Sequence, residues 1–63
     1  MTLTDLMLVV SNSCTLLIKP NSKTELKDII MCHPNDIAVE ILDYVIANIE
    51  VVDKDLLLVT IWK

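Results

Sequence analysis

The spacing of apolar residues near the start of the chain predicts a short helix. The apolar residues of one helical face recur at i, i+3, i+4 and i+7, and they are Leu3, Leu6, Met7 and Val10. Thr2 and Asp5 stand three positions apart at the start of this segment, which is the spacing of a capping box at a helix N-terminus. We therefore expect a first helix that ends before the polar Ser-Asn-Ser sequence.

The middle of the chain predicts a strand followed by two more helices. Residues 14–19 are predicted to form a strand, and the Pro-Asn-Ser sequence after it is a turn signal. Ser22 and Glu25 have the spacing of a second capping box, which predicts a helix from there to about Cys32. Pro34 ends this helix, because a proline disfavours helical backbone in the residue before it. The next helix is predicted from Pro34 or Asn35 to about Leu42, with a buried stripe of Ile37, Ala38, Ile41 and Leu42 that Val45 continues.

The last twenty residues predict a β-hairpin. Residues 45–52 alternate in the two-residue period of a strand, and the Asp-Lys-Asp sequence that follows is a charged turn. Residues 56–62 form a second strand that is apolar at nearly every position, a pattern typical of strands covered on both faces. The whole pattern predicts a single α+β domain over residues 1–63, with short helices packed on a small three-stranded antiparallel sheet that ends in this hairpin.

The apolar content predicts self-association. Apolar residues make up 54% of the chain, yet a domain of this length buries only about 60% of the surface that its unfolded chain exposes. Some apolar surface should therefore remain outside, where it marks an interface. We expect a homodimer formed through an apolar sheet face or edge, with Leu56, Leu58 and Trp62 as candidate interface residues. Trp62 has a second interpretation, in which it closes one edge of the core.

Acidic residues are concentrated in the second half of the chain. The first 31 residues carry equal numbers of acidic and basic side chains, so the whole net charge of −4 belongs to the remainder. Asp36, Glu40 and Asp43 would share one face of the predicted third helix, because they are spaced four and three residues apart. The remaining members of this predicted acidic surface, on the hairpin, are Glu50, Asp53 and Asp55.

Two interpretations of the acidic surface remain open. It could bind a basic partner, as an inhibitor of the anti-defence or anti-CRISPR type does when it occupies the nucleic-acid-binding groove of a host protein. It could also be a solvated face that keeps an apolar protein in solution. Direct binding to nucleic acid is not expected, because the chain has no arginine and no cluster of basic residues.

The residue types and spacings that catalysis or metal binding requires are missing from the pattern. No glycine-rich loop, arginine clamp or nucleophile motif is present, so we predict a protein that is not an enzyme and needs no cofactor. Cys14, Cys32 and His33 are the soft metal ligands of the chain, but they lack the paired spacing of a structural zinc site. We expect buried thiols and a helix-terminal imidazole there, with a small metal or redox module as the alternative.

The sequence predicts a cytoplasmic location. The longest uninterrupted apolar run near the N-terminus, residues 6–10, is too short for a membrane span and lacks the flanks of a signal peptide. We therefore expect no contact with a membrane, and reduced cysteines.

The chain resembles short acidic proteins carried by phages and prophages of Firmicutes. The resemblance lies in an opening Thr-Leu-Thr-Asp-Leu, a central Leu-x-Asp-Ile-Ile followed by proline, and an ending rich in Asp, Leu and Ile. The matching residues are Thr2, Leu3, Asp5, Leu6, Leu26, Asp28, Ile29, Pro34, Leu42, Asp43, Ile49, Asp53, Asp55, Leu57, Leu58, Val59 and Ile61. This resemblance implies an accessory protein of a mobile element and assigns no catalytic residues.

Overall fold

The computed structural model describes residues 1–22 and 29–63, which form an α+β fold built on one sheet. One α-helix, two short 3₁₀ turns and four strands make up these residues. In chain order they are α1 (Leu3–Val9), β1 (Thr15–Pro20), β2 (Ile30–Cys32), the 3₁₀ turns Pro34–Asp36 and Val39–Ile41, β3 (Ile46–Asp53) and β4 (Leu56–Ile61).

The sheet is mixed and has four strands, in the order β2-β1-β4-β3. The central strands β1 and β4 run parallel, and the two outer pairs run antiparallel. The prediction of three antiparallel strands was therefore wrong, although the C-terminal hairpin of β3 and β4 is confirmed. The strand β4 is apolar at every position but Thr60 and is hydrogen-bonded on both sides, to β1 and to β3. The cover predicted for both of its faces is only partly confirmed, because Leu56 and Leu58 on one face are half-buried.

The first helix is confirmed together with its capping box. The backbone N–H of Thr2 donates to Asp5 Oδ2 at 3.0 Å, and the Asp5 backbone N–H donates to Thr2 Oγ1 at 3.4 Å. The hydrogen bond from Thr2 lowers the pKa of the Asp5 carboxyl. Thr4 Oγ1 donates to the carbonyl of Leu42 at 3.0 Å, which fixes the helix against the middle of the chain.

The second predicted helix does not extend to Cys32, because residues 30–32 form the edge strand β2. Cys32 lies opposite Leu16 of β1, so these residues supply backbone partners to one side of β1. Residue 29 is also not helical, and residues 23–28 of that predicted helix, including Glu25 of its capping box, lie outside the described residues. The predicted capping residue Ser22 donates its hydroxyl to the carbonyl of Lys63 at 2.9 Å.

The third predicted helix is replaced by the two 3₁₀ turns. Ile37 and Ala38 between them are extended, with ψ angles of 128° and 137°. The like charges of Asp36 and Glu40 oppose a continuous helix here, and β-branched residues at 37, 39 and 41 lower its propensity further. The extended segment buries Ile37 in the core but leaves Ala38 exposed, and Val45 is also exposed rather than buried.

The core lies on one face of the sheet, which we call the core face. Its buried side chains come from α1, from the two central strands β1 and β4 and from the segment between the 3₁₀ turns. They are Leu3, Leu6, Leu16, Ile18, Ile37, Val59 and Ile61. The opposite side, the outer face, carries Leu17, Leu56 and Leu58, which are half-buried, and the exposed Met31.

Candidate functional site

The strand β3 forms one edge of the sheet. On the side that faces away from β4, only the start of its backbone has hydrogen-bond partners among residues 1–22 and 29–63. The backbone N–H of Ile46 donates to the Met1 carbonyl at 2.8 Å, and Thr2 forms an antiparallel bridge with Val45. Beyond this point, none of the described residues donates or accepts a backbone hydrogen bond on the side of β3 that faces away from β4. We call residues 47–53 the free edge.

Large apolar side chains accompany the open backbone of the free edge. Ile49 is 39% exposed, Val52 is 51% exposed and Val51 is 72% exposed. Ile49 pairs with Val59 of β4, so it projects on the core face and extends the apolar core surface to the sheet boundary. A long, exposed and apolar edge strand is a ready template for pairing with another chain.

Charged residues of the free edge project away from the core face or lie at its end. Glu50 is opposite Leu58 of β4 and therefore projects on the outer face. Asp53 ends the strand, and its Oδ1 accepts the backbone N–H of Lys54 at 2.7 Å. The Asp55 carbonyl accepts the backbone N–H of Thr15 at 2.7 Å, which attaches the hairpin turn to the start of β1. Charged side chains on an edge strand hinder unspecific pairing of that strand with the edge strands of other proteins.

The apolar residues predicted for an interface lie on or just after β4, inside the sheet. Leu56 and Leu58 project on the outer face and are half-buried. Trp62 is 56% exposed, and its backbone N–H donates to the Val45 carbonyl at 2.9 Å. The strand β4 does not form an edge of the sheet, because it lies between β1 and β3. Of the two hairpin strands, β3 is therefore the one at an edge of the sheet.

The predicted acidic face is divided, because the extended residues Ile37 and Ala38 separate Asp36 in the first 3₁₀ turn from Glu40 in the second. Asp36 lines an open hollow together with Cys32 and His33. Glu40 and Asp43 line a different hollow beside Tyr44. The three carboxylates thus do not form one helical stripe, although they and the three acidic residues of the hairpin are all exposed.

The two cysteines and the histidine do not gather into a metal site. In the described part of the chain, no three His, Cys, Asp or Glu side chains lie close enough together to hold a metal ion. The Nδ1 atom of His33 donates to the carbonyl of Cys14 at 2.8 Å, since a carbonyl can only accept. Burial, followed by the negative charge of Asp36, raises the pKa of the Cys32 thiol. This makes Cys32 a poorer thiolate ligand and nucleophile than an ordinary cysteine.

The chain matches no protein-family model, no curated protein and no solved structure. None of the helices in the described residues is long and apolar enough to cross a membrane.

Proposed function

We propose that the protein is a non-catalytic accessory protein that binds other proteins and associates with itself through the free edge of β3. The observation that carries this proposal is the stretch of backbone at residues 47–53 that no described residue pairs with on the side away from β4, lined by the exposed side chains of Ile49, Val51 and Val52. The resemblance to phage and prophage proteins supports an accessory role in a mobile element.

A second copy of the chain suits this edge because it offers the same unpaired backbone and the same apolar side chains. Main-chain hydrogen bonds across two such edges would join the two four-stranded sheets into one. An interface built from one strand of each copy is small, and interfaces of low area are weak or transient. We therefore expect a reversible homodimer that forms in the micromolar to millimolar concentration range.

Raising the salt concentration should strengthen this dimer. Each copy carries a net charge of −4, and Glu50, Asp53 and Asp55 of both copies lie near the paired edges. Dissolved ions screen repulsion between exposed like charges over about 10 Å at 0.1 M and about 3 Å at 1 M ionic strength. Sedimentation velocity over a dilution series at both salt concentrations would measure the monomer–dimer equilibrium.

The sedimentation experiment can also reject the proposal. The expected result is a concentration-dependent increase in sedimentation coefficient that begins at lower protein concentration in high salt. A single monomeric species at both salt concentrations, up to about millimolar protein where even weak complexes form, would show that the protein does not self-associate.

A second candidate function is an acidic inhibitor that occupies the basic nucleic-acid-binding groove of a host protein. It is supported by six exposed carboxylates, on Asp36, Glu40, Asp43, Glu50, Asp53 and Asp55. Binding of this kind depends on attraction between opposite charges, so salt should weaken it and slow the association. The direction of the salt effect therefore separates the two candidates.

A further inference from the structure

We infer that two copies pair antiparallel about Glu50, so that Ile49 of each copy lies opposite Val51 of the other. This inference rests on the proposed self-association and specifies its geometry. It follows from the two faces of β3 and from the residues that already occupy part of its edge.

The symmetry of the pair limits where its centre can lie. A two-fold axis perpendicular to the sheet brings two copies of one edge strand together antiparallel and leaves both core faces on the same side. Directly opposed residues in such a pair project on the same face. Ile49 and Val51 project on the core face, and Asn48 and Glu50 on the outer face. The two-fold axis must therefore lie midway between the two copies of one residue, so that this residue is directly opposite itself.

The N-terminal residues exclude a centre at Ile49. That centre would place Val52 of the second copy opposite Ile46. The edge of β3 is already occupied at Ile46, because the Ile46 N–H donates to the Met1 carbonyl at 2.8 Å. The second strand and the N-terminal segment would then need the same space.

A centre at Glu50 uses the free edge better than a centre at Val51. With Val51 at the centre, residues 47 and 48 lie opposite the hairpin turn. Ile49 then lies opposite Asp53, whose side chain projects on the other face because the register shifts between Val51 and Asp53, so Ile49 has no apolar partner. With Glu50 at the centre, the regular part of the free edge between the register shifts at residues 47 and 52 is paired, and Ile49 meets Val51 twice, once on each side of the axis. Apolar and β-branched pairs of this kind are the units that stabilise antiparallel sheets.

This register brings the two Glu50 side chains together on the outer face. Like charges directly opposite each other destabilise a strand pair. Glu50→Gln should therefore lower the dissociation constant of the dimer by about two- to fivefold. Glu40→Gln is the matched control, because Glu40 is also exposed but lies outside the sheet, and it should leave the dissociation constant nearly unchanged.

Disulfide cross-linking tests the register directly. In a chain with Cys14→Ser and Cys32→Ser, single cysteines are introduced as Glu50→Cys, Ile49→Cys or Val51→Cys and oxidised at a concentration where the dimer forms. Glu50→Cys should link to itself, because opposed residues have the Cα separation that a disulfide needs. Ile49→Cys and Val51→Cys should each remain unlinked alone and link when the two are mixed.

Each outcome of the cross-linking supports or overturns the register. Efficient self-linking of Val51→Cys, or no linking of Glu50→Cys in a chain that still sediments as a dimer, would show that the copies meet in another way. These results would leave self-association standing, whereas a natural chain that never dimerises would overturn the proposed function itself. Circular dichroism confirms that each variant is folded, and the Glu50→Gln titration tests the same register with both native cysteines present.

Discussion

Replacing Val51 with glutamate should weaken self-association of the chain at least tenfold. Val51 is 72% exposed in a single copy, and the pairing would cover it in both copies of the dimer. An ionised carboxylate without a partner is costly to bury, and about 1.4 kcal/mol is enough for a tenfold change in the dissociation constant. Sedimentation of the variant and of the natural chain, at equal protein and salt concentrations, measures the difference.

Val39→Glu is the matched control for this substitution. Val39 is 78% exposed and lies in a 3₁₀ turn away from the free edge, so the variant gains the same charge and loses a similarly exposed side chain. Its dimerisation should be close to that of the natural chain. Equal weakening by both substitutions would mean that net charge, rather than the edge of β3, controls the association.

Replacing Leu6 with alanine should remove much of the stability of the fold. Leu6 is 3% exposed and belongs to the core, and Leu→Ala changes at such sites cost about 2–5 kcal/mol. A domain of this size has a total free energy of unfolding of roughly 3–9 kcal/mol, at about 0.05–0.15 kcal/mol per residue. Urea unfolding followed by circular dichroism, at a concentration below that of dimer formation, measures the loss.

The same helix supplies the control for Leu6. Leu8 lies two residues further along α1 and is 74% exposed. Leu8→Ala should change the free energy of unfolding by less than about 0.5 kcal/mol, as is usual for surface positions. If both substitutions destabilised the protein equally, α1 would not pack on the sheet through its Leu3 and Leu6 face.

The elements that could be predicted from the sequence are those with local signals. The helix α1 has a capping box and a regular apolar face, and both are confirmed by its hydrogen bonds and buried residues. The strand β1 and the C-terminal hairpin are bounded by turn residues at Pro20 and at residues 53–55. In these segments the intrinsic preference and the tertiary structure agree.

The elements that were predicted wrongly are those in which tertiary contacts oppose the local pattern. Leu26, Ile29 and Ile30 have a helical apolar spacing, but residues 30–32 form a strand that satisfies the backbone of β1. The segment around Ile37 also has a helical spacing, but an extended conformation buries Ile37 in the core. Such contacts join residues far apart in the chain, and no short window of sequence contains them.

The location of the candidate site follows from strand order, which local patterns do not encode. The apolar content predicts an exposed sheet face or edge, and the predicted interface residues Leu56, Leu58 and Trp62 belong to the apolar segment at residues 56–62, which includes β4. The parallel pairing of β1 with β4 places that strand inside the sheet and leaves β3 at the boundary. Alternation along β3 indicated a half-covered strand and gave no sign that its outer backbone would be open.

The most direct test of self-association through the free edge is a dilution series followed by two-dimensional NMR of the backbone amides. We expect the amide signals of residues 47–53 to shift with concentration, with smaller changes near Met1, while the signals of α1 stay constant. Concentration-dependent shifts confined to the outer face, around Leu17 and Leu58, or no shifts at any concentration, would contradict the account.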